Sequence, residues 1–242
     1  MAKLTAQTAL ITGAGRGLGR AIARALAREG AQTVVTARSE TELAASADEI
    51  GRLGPKPWTL AGDITDERHV ESLFAQIQER FGRLDLLVNN AGAFDGGPLD
   101  ELSTEAWDKV IAVNLRAPFL CTRAALRMMK PQGRGRIINI GSISAQRVRP
   151  SSAPYAASKH GLWGLTQATA LEGREYGVTC CCLHPGNILV EHRRTDKPQD
   201  AEPMMTPDEV AEVALLMATL PPHVEMLEAI VLPHQQLYVG RG

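Results

Sequence analysis

The residues from Gly141 to Lys159, GSISAQRVRPSSAPYAASK, carry the side chains of this chain best suited to acid–base chemistry. Tyr155 and Lys159 stand at i and i+4 in a segment, Ala153 to Glu175, that is rich in Ala, Leu and Gln and has no proline after Pro154. That composition predicts a helix, and the spacing puts the phenol and the ammonium on one face of it. A free tyrosine has a pKa of about 10, too high for a base at neutral pH. A fixed cation beside a phenol favours the phenolate, and such a tyrosine can exchange a proton with a substrate oxygen. Ser142 closely follows an apolar run, Arg136 to Ile140, that reads as a buried strand. A hydroxyl at that strand end could hydrogen-bond the same oxygen. A Tyr–Lys pair at this spacing fits a plain amphipathic surface helix equally well, so the rest of the chain has to decide.

The elements that must position these groups alternate strand and helix. Strands are predicted at Thr8 to Thr12, Gln32 to Ala37, Pro57 to Ala61, Leu84 to Asn89, Arg136 to Ile140, Val178 to Leu183 and Glu228 to Leu232. Helices are predicted at Gly17 to Glu29, Ser39 to Leu53, Asp66 to Phe81, Thr104 to Met129 and Pro154 to Glu175, with a last one opened by Thr206-Pro207 and running to Leu220. Ser39 is an N-cap candidate, Gly54-Pro55 and Gly82 are stops, and Pro207 suits a first helical position. This alternation predicts an α/β fold, a Rossmann-type doubly wound parallel sheet with helices on both faces, in a single domain spanning 1–242. The polar, proline-bearing stretch 187–205 is the one long irregular segment and is expected to be a substrate loop.

The first predicted strand runs into Thr12-Gly13-Ala14-Gly15-Arg16-Gly17-Leu18-Gly19. A glycine-rich turn between a strand and a helix lets main-chain N–H groups and a helix N-terminus face a pyrophosphate. The spacing is G-x-x-x-G-x-G from Gly13, which departs from the G-x-G-x-x-G fingerprint, so strand–turn–helix context is what gives it weight. An acid at the end of the second strand would bind a free ribose. Here the strand ends Thr36-Ala37-Arg38, with Glu40 two residues beyond. Arg38, with Arg16 in the turn, suits a 2′-phosphate instead. The expected cofactor is therefore NADP(H) rather than NAD(H).

Composition excludes other classes. The chain has 242 residues and a formal net charge of −1 with no basic block, so it lacks the electrostatic footprint of a nucleic-acid binder. No apolar run is long enough for a membrane span, and the N-terminus enters a strand pattern without a signal-peptide layout, which points to the cytoplasm. Cys180, Cys181 and Cys182 are consecutive in a predicted strand, so their side chains alternate faces and form no metal cluster. With Cys121 they read as small core residues in a reducing compartment. His69, His160, His192, His223 and His234 show no metal spacing, and His184 reads as a strand-end residue, so no metal is expected. Asn114 is unusual in mid-helix, where a buried amide needs partners.

Together these pieces resemble the short-chain dehydrogenase/reductase family, classical type: TGAGRGLG at 12–19, Asp63 after the third strand, NNAG at 89–92, Asn114, Ser142, YAASK at 155–159 and HPGN at 184–187. The resemblance runs from Thr8 to about Gly186 and more loosely to the C-terminus. It implies that Tyr155 is the general acid/base, that Lys159 holds the nicotinamide ribose and supports the tyrosine, that Ser142 polarises the substrate carbonyl and that Asn114 supports a water leading from Lys159 to solvent. Asp63 would meet the adenine, Asn90 would lie along the adenosine ribose, and Pro185, Gly186 and Ile188 would flank the nicotinamide. Ile64, Leu18, Ala91 and Gly92 complete the cofactor site with Gly13, Arg16, Gly17, Gly19 and Arg38. The implied activity is interconversion of a carbonyl and a secondary alcohol by hydride transfer.

Two features depart from the family pattern: Val190 stands where a Thr often helps hold the cofactor, and the following loop is short and charged. Within the family the chain is similar to 3-oxoacyl-[acyl-carrier-protein] reductases. Arg147, Arg149, Arg193 and Arg194 are candidates for meeting an acidic carrier, so the small-molecule partner would be a carbonyl or alcohol, including an acyl thioester. The pocket is expected from Ala93 to Leu99, Ile143 to Ser152 and Ile188 to Met205, made partly apolar by Phe94, Val148, Leu189 and Met204. The family also implies a homo-oligomer, tetramer or dimer. A non-catalytic NADP(H) sensor is the alternative from another class, opposed by the full set Asn114, Ser142, Tyr155 and Lys159.

Overall fold

The computed structural model describes residues 2–189 and 202–238. Seven parallel strands form one sheet: β1 (Thr8–Thr12), β2 (Gln32–Ala37), β3 (Trp58–Ala61), β4 (Leu86–Asn89), β5 (Gly135–Ile140), β6 (Val178–Pro185) and β7 (Glu228–Val231), in the order β3-β2-β1-β4-β5-β6-β7. The helices between them are α1 (Gly17–Arg28), α2 (Glu40–Gly51), α3 (Glu67–Phe81), α4 (Thr104–Ile111), α5 (Ala117–Gln132), α6 (Ala153–Gly173) and α7 (Pro207–Thr219). The doubly wound sheet with helices on both faces is the Rossmann arrangement that the strand–helix alternation predicts.

The central strands β1, β4, β5 and β6 are buried along nearly their whole length and mostly apolar, because both faces of the sheet are covered there. Alternate residues feed two separate cores. Ile11, Val35, Val88, Ile138, Cys181 and Leu183 pack with α1 and α7 on one side. Leu10, Val34, Leu87, Ile137 and Cys180 pack with α3 and α5 on the other. The alternation runs through the cysteine triplet, and burial pushes the Cys181 and Cys182 thiols up to about 12. They behave as core side chains, and a truncation such as Leu87→Ala in either layer would cost about 2–5 kcal/mol.

Helix boundaries follow local chemistry. Ser39, Asp66, Ser103 and Thr206 each accept a main-chain N–H in the first turn of α2, α3, α4 and α7, and α7 closes a full capping box with Glu209. Gly82 stops α3 in the left-handed region, with φ 68°. The one substantive difference from the predicted elements lies in the long helix. It is interrupted between α4 and α5 by a π-helical turn, Ala112–Arg116, whose buried residue is Asn114. One inserted residue per turn leaves the apolar pattern almost unchanged, so periodicity gives no sign of it.

Buried Arg136 fixes the far end of α7. Its guanidinium donates to the Met217 carbonyl, to Pro221 O at 3.2 Å and to Val224 O at 3.0 Å. Met217 O is in the last turn of α7 and the other two acceptors lie in the segment after it, so one guanidinium ties the helix end to the turn that follows. No helix among the described residues is long and apolar enough to cross a membrane.

Candidate active site

Strand order reverses between β1 and β4, and ligands of open parallel sheets bind in the crevice at the carboxyl ends of the strands there. A cavity of about 790 Å³ opens at this place. It is lined by Gly13, Arg16, Gly17, Leu18, Gly19, Arg38, Asp63, Ile64, Asn90, Ala91 and Gly92. Those are the residues predicted for the phosphate and adenosine end.

The glycine turn is clamped to the end of β4. Thr12 Oγ1 accepts the N–H groups of Asn90 and Ala91, each at 3.0 Å. Asn90 Nδ2 donates back to Thr12 O at 2.9 Å and Gly13 O at 3.2 Å. A Cβ on Gly19 would lie 2.4 Å from Asn90 Nδ2 and from Gly13 O, and Gly13 has φ 66° with only 2.8 Å to Ala91 Cα. Glycine is required at both positions by contact, and at Gly13 by conformation as well. α1 begins without a capping side chain and without an acid in its first turn, whereas α2, α3, α4 and α7 have both. Its free N–H groups and positive dipole end suit an anion. The cavity, the tight glycine turn and the uncapped helix fit the pyrophosphate of a dinucleotide.

The rim is charged. Arg16 and Arg38 are exposed at the cavity, and Arg16 Nη1 lies 3.1 Å from Glu42 Oε1. Asp63 Oδ1 accepts from Thr65 N at 2.9 Å and Thr65 Oγ1 at 2.8 Å. The Thr65 main-chain bond is the main reason the Asp63 carboxyl sits below the usual carboxylate range; Thr65 Oγ1 and Arg38 act in the same direction.

Past β4, the next strand ends carry the predicted proton-transfer groups. Lys159 is buried, and its Nζ donates to Ile140 O at 2.7 Å, at the end of β5 two residues before Ser142. The same Nζ lies 5.6 Å from the centroid of the half-buried Tyr155 ring. Phe94 packs edge-on against Tyr155 at 5.3 Å. Ser142 Oγ accepts from Ser144 N at 3.1 Å, opening a 3₁₀ turn, Ile143–Ala145.

Asn114, in the π turn, accepts from Ala93 N at 2.8 Å and donates to Ala93 O at 2.9 Å and Ser158 Oγ at 3.2 Å. Ser158 in turn donates to Tyr155 O at 2.7 Å. The wide turn thus lets one amide tie the loop after β4 to the helix that carries Tyr155 and Lys159. Pro185 ends β6, Gly186 N donates to Val231 O at 2.8 Å, and Ile188 pairs with Met205. Ser142, Tyr155, Lys159, Pro185, Gly186 and Ile188 lie beside the cavity rather than among its lining residues. Val190, Arg193 and Arg194 fall outside the described residues.

This arrangement is a phenol and an ammonium on one helix face, beside a serine at a strand end, next to a dinucleotide-sized cleft. Residues 7–201 match the family described as short chain dehydrogenase. The chain belongs to the short-chain dehydrogenase family. Among curated relatives, a 3beta-hydroxysteroid dehydrogenase of Mediterraneibacter gnavus is 39% identical over 76% of this chain and 67% of its own length. An uncharacterised oxidoreductase of Staphylococcus aureus is 34% identical over 96% of this chain and all of its own length. Among solved structures, a metagenomic short-chain oxidoreductase in complex with NADP is 37% identical with a TM-score of 0.85, covering 96% of this chain and 99% of that one. A short-chain type dehydrogenase/reductase from Mycobacterium marinum is 28% identical with a TM-score of 0.87, covering 94% of each chain.

Several residues of this short-chain dehydrogenase's site escape sequence reading. Ser39, Glu42 and Lys109 line the cavity, and Lys109 pairs with Asp95 at 3.0 Å. Ser158 is a buried link between Asn114 and Tyr155, recognisable only once the π turn is known. His184, which reads as a strand-end residue, is fully buried against Ser142. Among the described residues no cluster of His, Cys, Asp or Glu is arranged to hold a metal ion.

Proposed function

We propose that this dehydrogenase is an NADP(H)-dependent reductase that interconverts a carbonyl and a secondary alcohol, with Tyr155 as the general acid/base. The observation that carries the proposal is the Tyr155–Lys159 pair: a buried ammonium, fixed by the Ile140 carbonyl, 5.6 Å from the phenol ring. When bound, the nicotinamide supplies the hydride to the carbonyl carbon. Tyr155 gives its proton to the developing alkoxide, and Ser142 donates a hydrogen bond to the same oxygen. The Lys159 charge steadies the phenolate left behind, and Asn114 holds the helix face on which both sit. Proton return from solvent restores the tyrosine.

NADP(H) preference is supported by Arg16 and Arg38 at the cavity rim, by the lack of an acid at the end of β2, and by the relative solved with NADP. Phe94 beside Tyr155, with Val148 and Leu189 also exposed, favours a substrate with an apolar group flanking the carbonyl. The 187–205 segment is proposed as the substrate loop. A homo-oligomer is supported by Trp107, Phe119 and Leu171 exposed on α4, α5 and α6 and by the β7 edge with Ile230. The test is titration with NADPH and NADH, then turnover at the nicotinamide absorbance on a steroid ketone, an aryl ketone and an acetoacetyl thioester. Tighter NADPH binding with turnover is expected. Tighter NADH binding would overturn the arginine assignment, and NADPH binding with no turnover across such a panel would favour a sensor.

A further inference from the structure

His184 has no place in the proton-transfer scheme, yet it is the histidine most deeply placed beside it. Its side chain has 0% exposure at the end of β6. The β5–β6 pairing of Ile140 with Leu183, continued by Gly141 N donating to Leu183 O at 2.7 Å, brings the imidazole under the turn that carries Ser142. Nδ1 lies 2.9 Å from Ser142 O and 3.3 Å from Ser142 N. The packing is close: a Cβ on Gly141 would stand 2.5 Å from Nδ1. The ring of Trp163 meets the imidazole edge-on at 5.7 Å.

The other nitrogen looks outward along the sheet. Nε2 is buried without a hydrogen-bond partner, with Glu228 Oε1 on β7 at 3.5 Å. Glu228 itself accepts from Gln146, and Gln146 accepts from Tyr238 in the C-terminal segment. A neutral imidazole has one N–H, and its two short contacts at Nδ1 exclude each other. The 2.9 Å contact has the length of a good N–H···O bond, whereas the 3.3 Å contact, from Ser142 N–H to Nδ1, is the longer and weaker of the two. The proton therefore belongs on Nδ1, donated to the Ser142 carbonyl.

We propose that His184 is a positioning residue: its Nδ1–H holds the Ser142 carbonyl, and through the serine's main chain it aims Oγ at the substrate oxygen. This rests on the reductase reading above for the role of Ser142. Ser142 is extended (φ −171°, ψ 157°) and the main-chain setting at that residue decides where Oγ points. A hydroxyl that must meet a reacting oxygen tolerates only a small displacement, and misplacement of about 1 Å can cost about 100-fold in rate. The contact is made from beneath the site, so it touches neither cofactor nor substrate.

Two measurements test this. The first needs no substrate: ring ¹H–¹⁵N correlations of histidine-labelled protein distinguish the tautomers. A proton on Nδ1 of His184 is expected, and a proton on Nε2 would overturn the proposed contact. The second uses the best carbonyl substrate of the wild type. His184→Leu is expected to lower kcat about 10- to 100-fold while the NADPH Kd stays within about threefold. His184→Asn, whose amide falls where Nδ1 was, should recover most of that loss. In a Ser142→Ala background, His184→Leu should add little, because the two residues act as one unit. An undiminished kcat in folded His184→Leu, no recovery in His184→Asn, or a full further loss on top of Ser142→Ala would each refute the positioning role. Tyr155→Phe reports on the reductase reading independently, so the two failures are distinguishable.

Discussion

At the glycine turn the groups that would meet a ligand are mainly main-chain N–H groups; Arg16 apart, the side chains there serve the protein itself. Asn90 spends both amide hydrogens on the Thr12 and Gly13 carbonyls, and Thr12 Oγ1 accepts two N–H groups in return. At the ends of β5 and β6 the arrangement is inverted. The groups proposed to act are side chains, Ser142, Tyr155 and Lys159; the Ile140 carbonyl holds Lys159 directly, and the Ala93 and Ser142 carbonyls hold Asn114 and His184 behind them. The first region reads shape and charge, which every dinucleotide of one kind shares. The second holds the proposed reacting groups, whose placement has to be set one side chain at a time. Damage should follow the same division: changes at the turn should remove cofactor binding, and changes at the strand ends should remove turnover and leave binding.

The largest separation should come from Gly19→Ala. The added methyl would stand 2.4 Å from Gly13 O and Asn90 Nδ2, so the turn must open. Isothermal titration should show NADPH affinity reduced by at least about 100-fold, equivalent to about 2.7 kcal/mol. Retained binding would mean that the turn has slack the contacts do not reveal. Next comes Asn114→Ala, on the other side of the division. It strands the N–H and the carbonyl of Ala93 and loosens α6 through Ser158. About 1–3 kcal/mol of stability should be lost in urea unfolding, with kcat reduced more than NADPH affinity.

A smaller effect is expected at the rim. Glu42 already occupies Arg16, so a 2′-phosphate must share that guanidinium. Glu42→Gln should tighten NADPH binding by about two- to fivefold, a modest gain because both groups are exposed and screened. NADH affinity should not change, since the pair would matter only to the extra phosphate. Equal gains for both cofactors would show that Arg16 faces something else.

The smallest effect concerns pH. Burial lowers the pKa of His184, opposed by the Ser142 carbonyl and Glu228 and assisted by Lys159. An unfolded histidine has a pKa of about 6.5. Below that value the unfolded chain takes up a proton that folded His184 refuses, so this residue's share of stability falls as pH drops below about 6.5 and is complete above it. Chemical unfolding from pH 5 to 8 should give a shallower slope in His184→Asn than in the wild type. An unchanged slope would mean that the folded imidazole titrates normally.

The turn and the helix caps were legible because their signals are local: TGAGRGLG, Ser39, Gly82 and Thr206-Pro207 each act within a few residues of themselves. The alternating cysteines were legible for the same reason, since a strand's period of two needs no partner. The π turn at Asn114 was not, because an inserted residue hardly disturbs apolar periodicity. Glu42 and His184 were hidden for a different reason. Their meaning comes from distant chain: Glu42 from the glycine turn across α2, and His184 from the register that lays β6 beside β5 and β7. The proton-transfer set lay between these cases, visible as residue types in the right order and given geometry only by the sheet.

The measurement that bears most directly on the account is single-turnover reduction by Tyr155→Phe saturated with NADPH, followed at the nicotinamide absorbance on the substrate the wild type turns over best. A loss of at least about 100-fold in the hydride-transfer rate is expected, with NADPH affinity and unfolding midpoint close to wild type. A folded Tyr155→Phe protein that transfers hydride at the wild-type rate would contradict it.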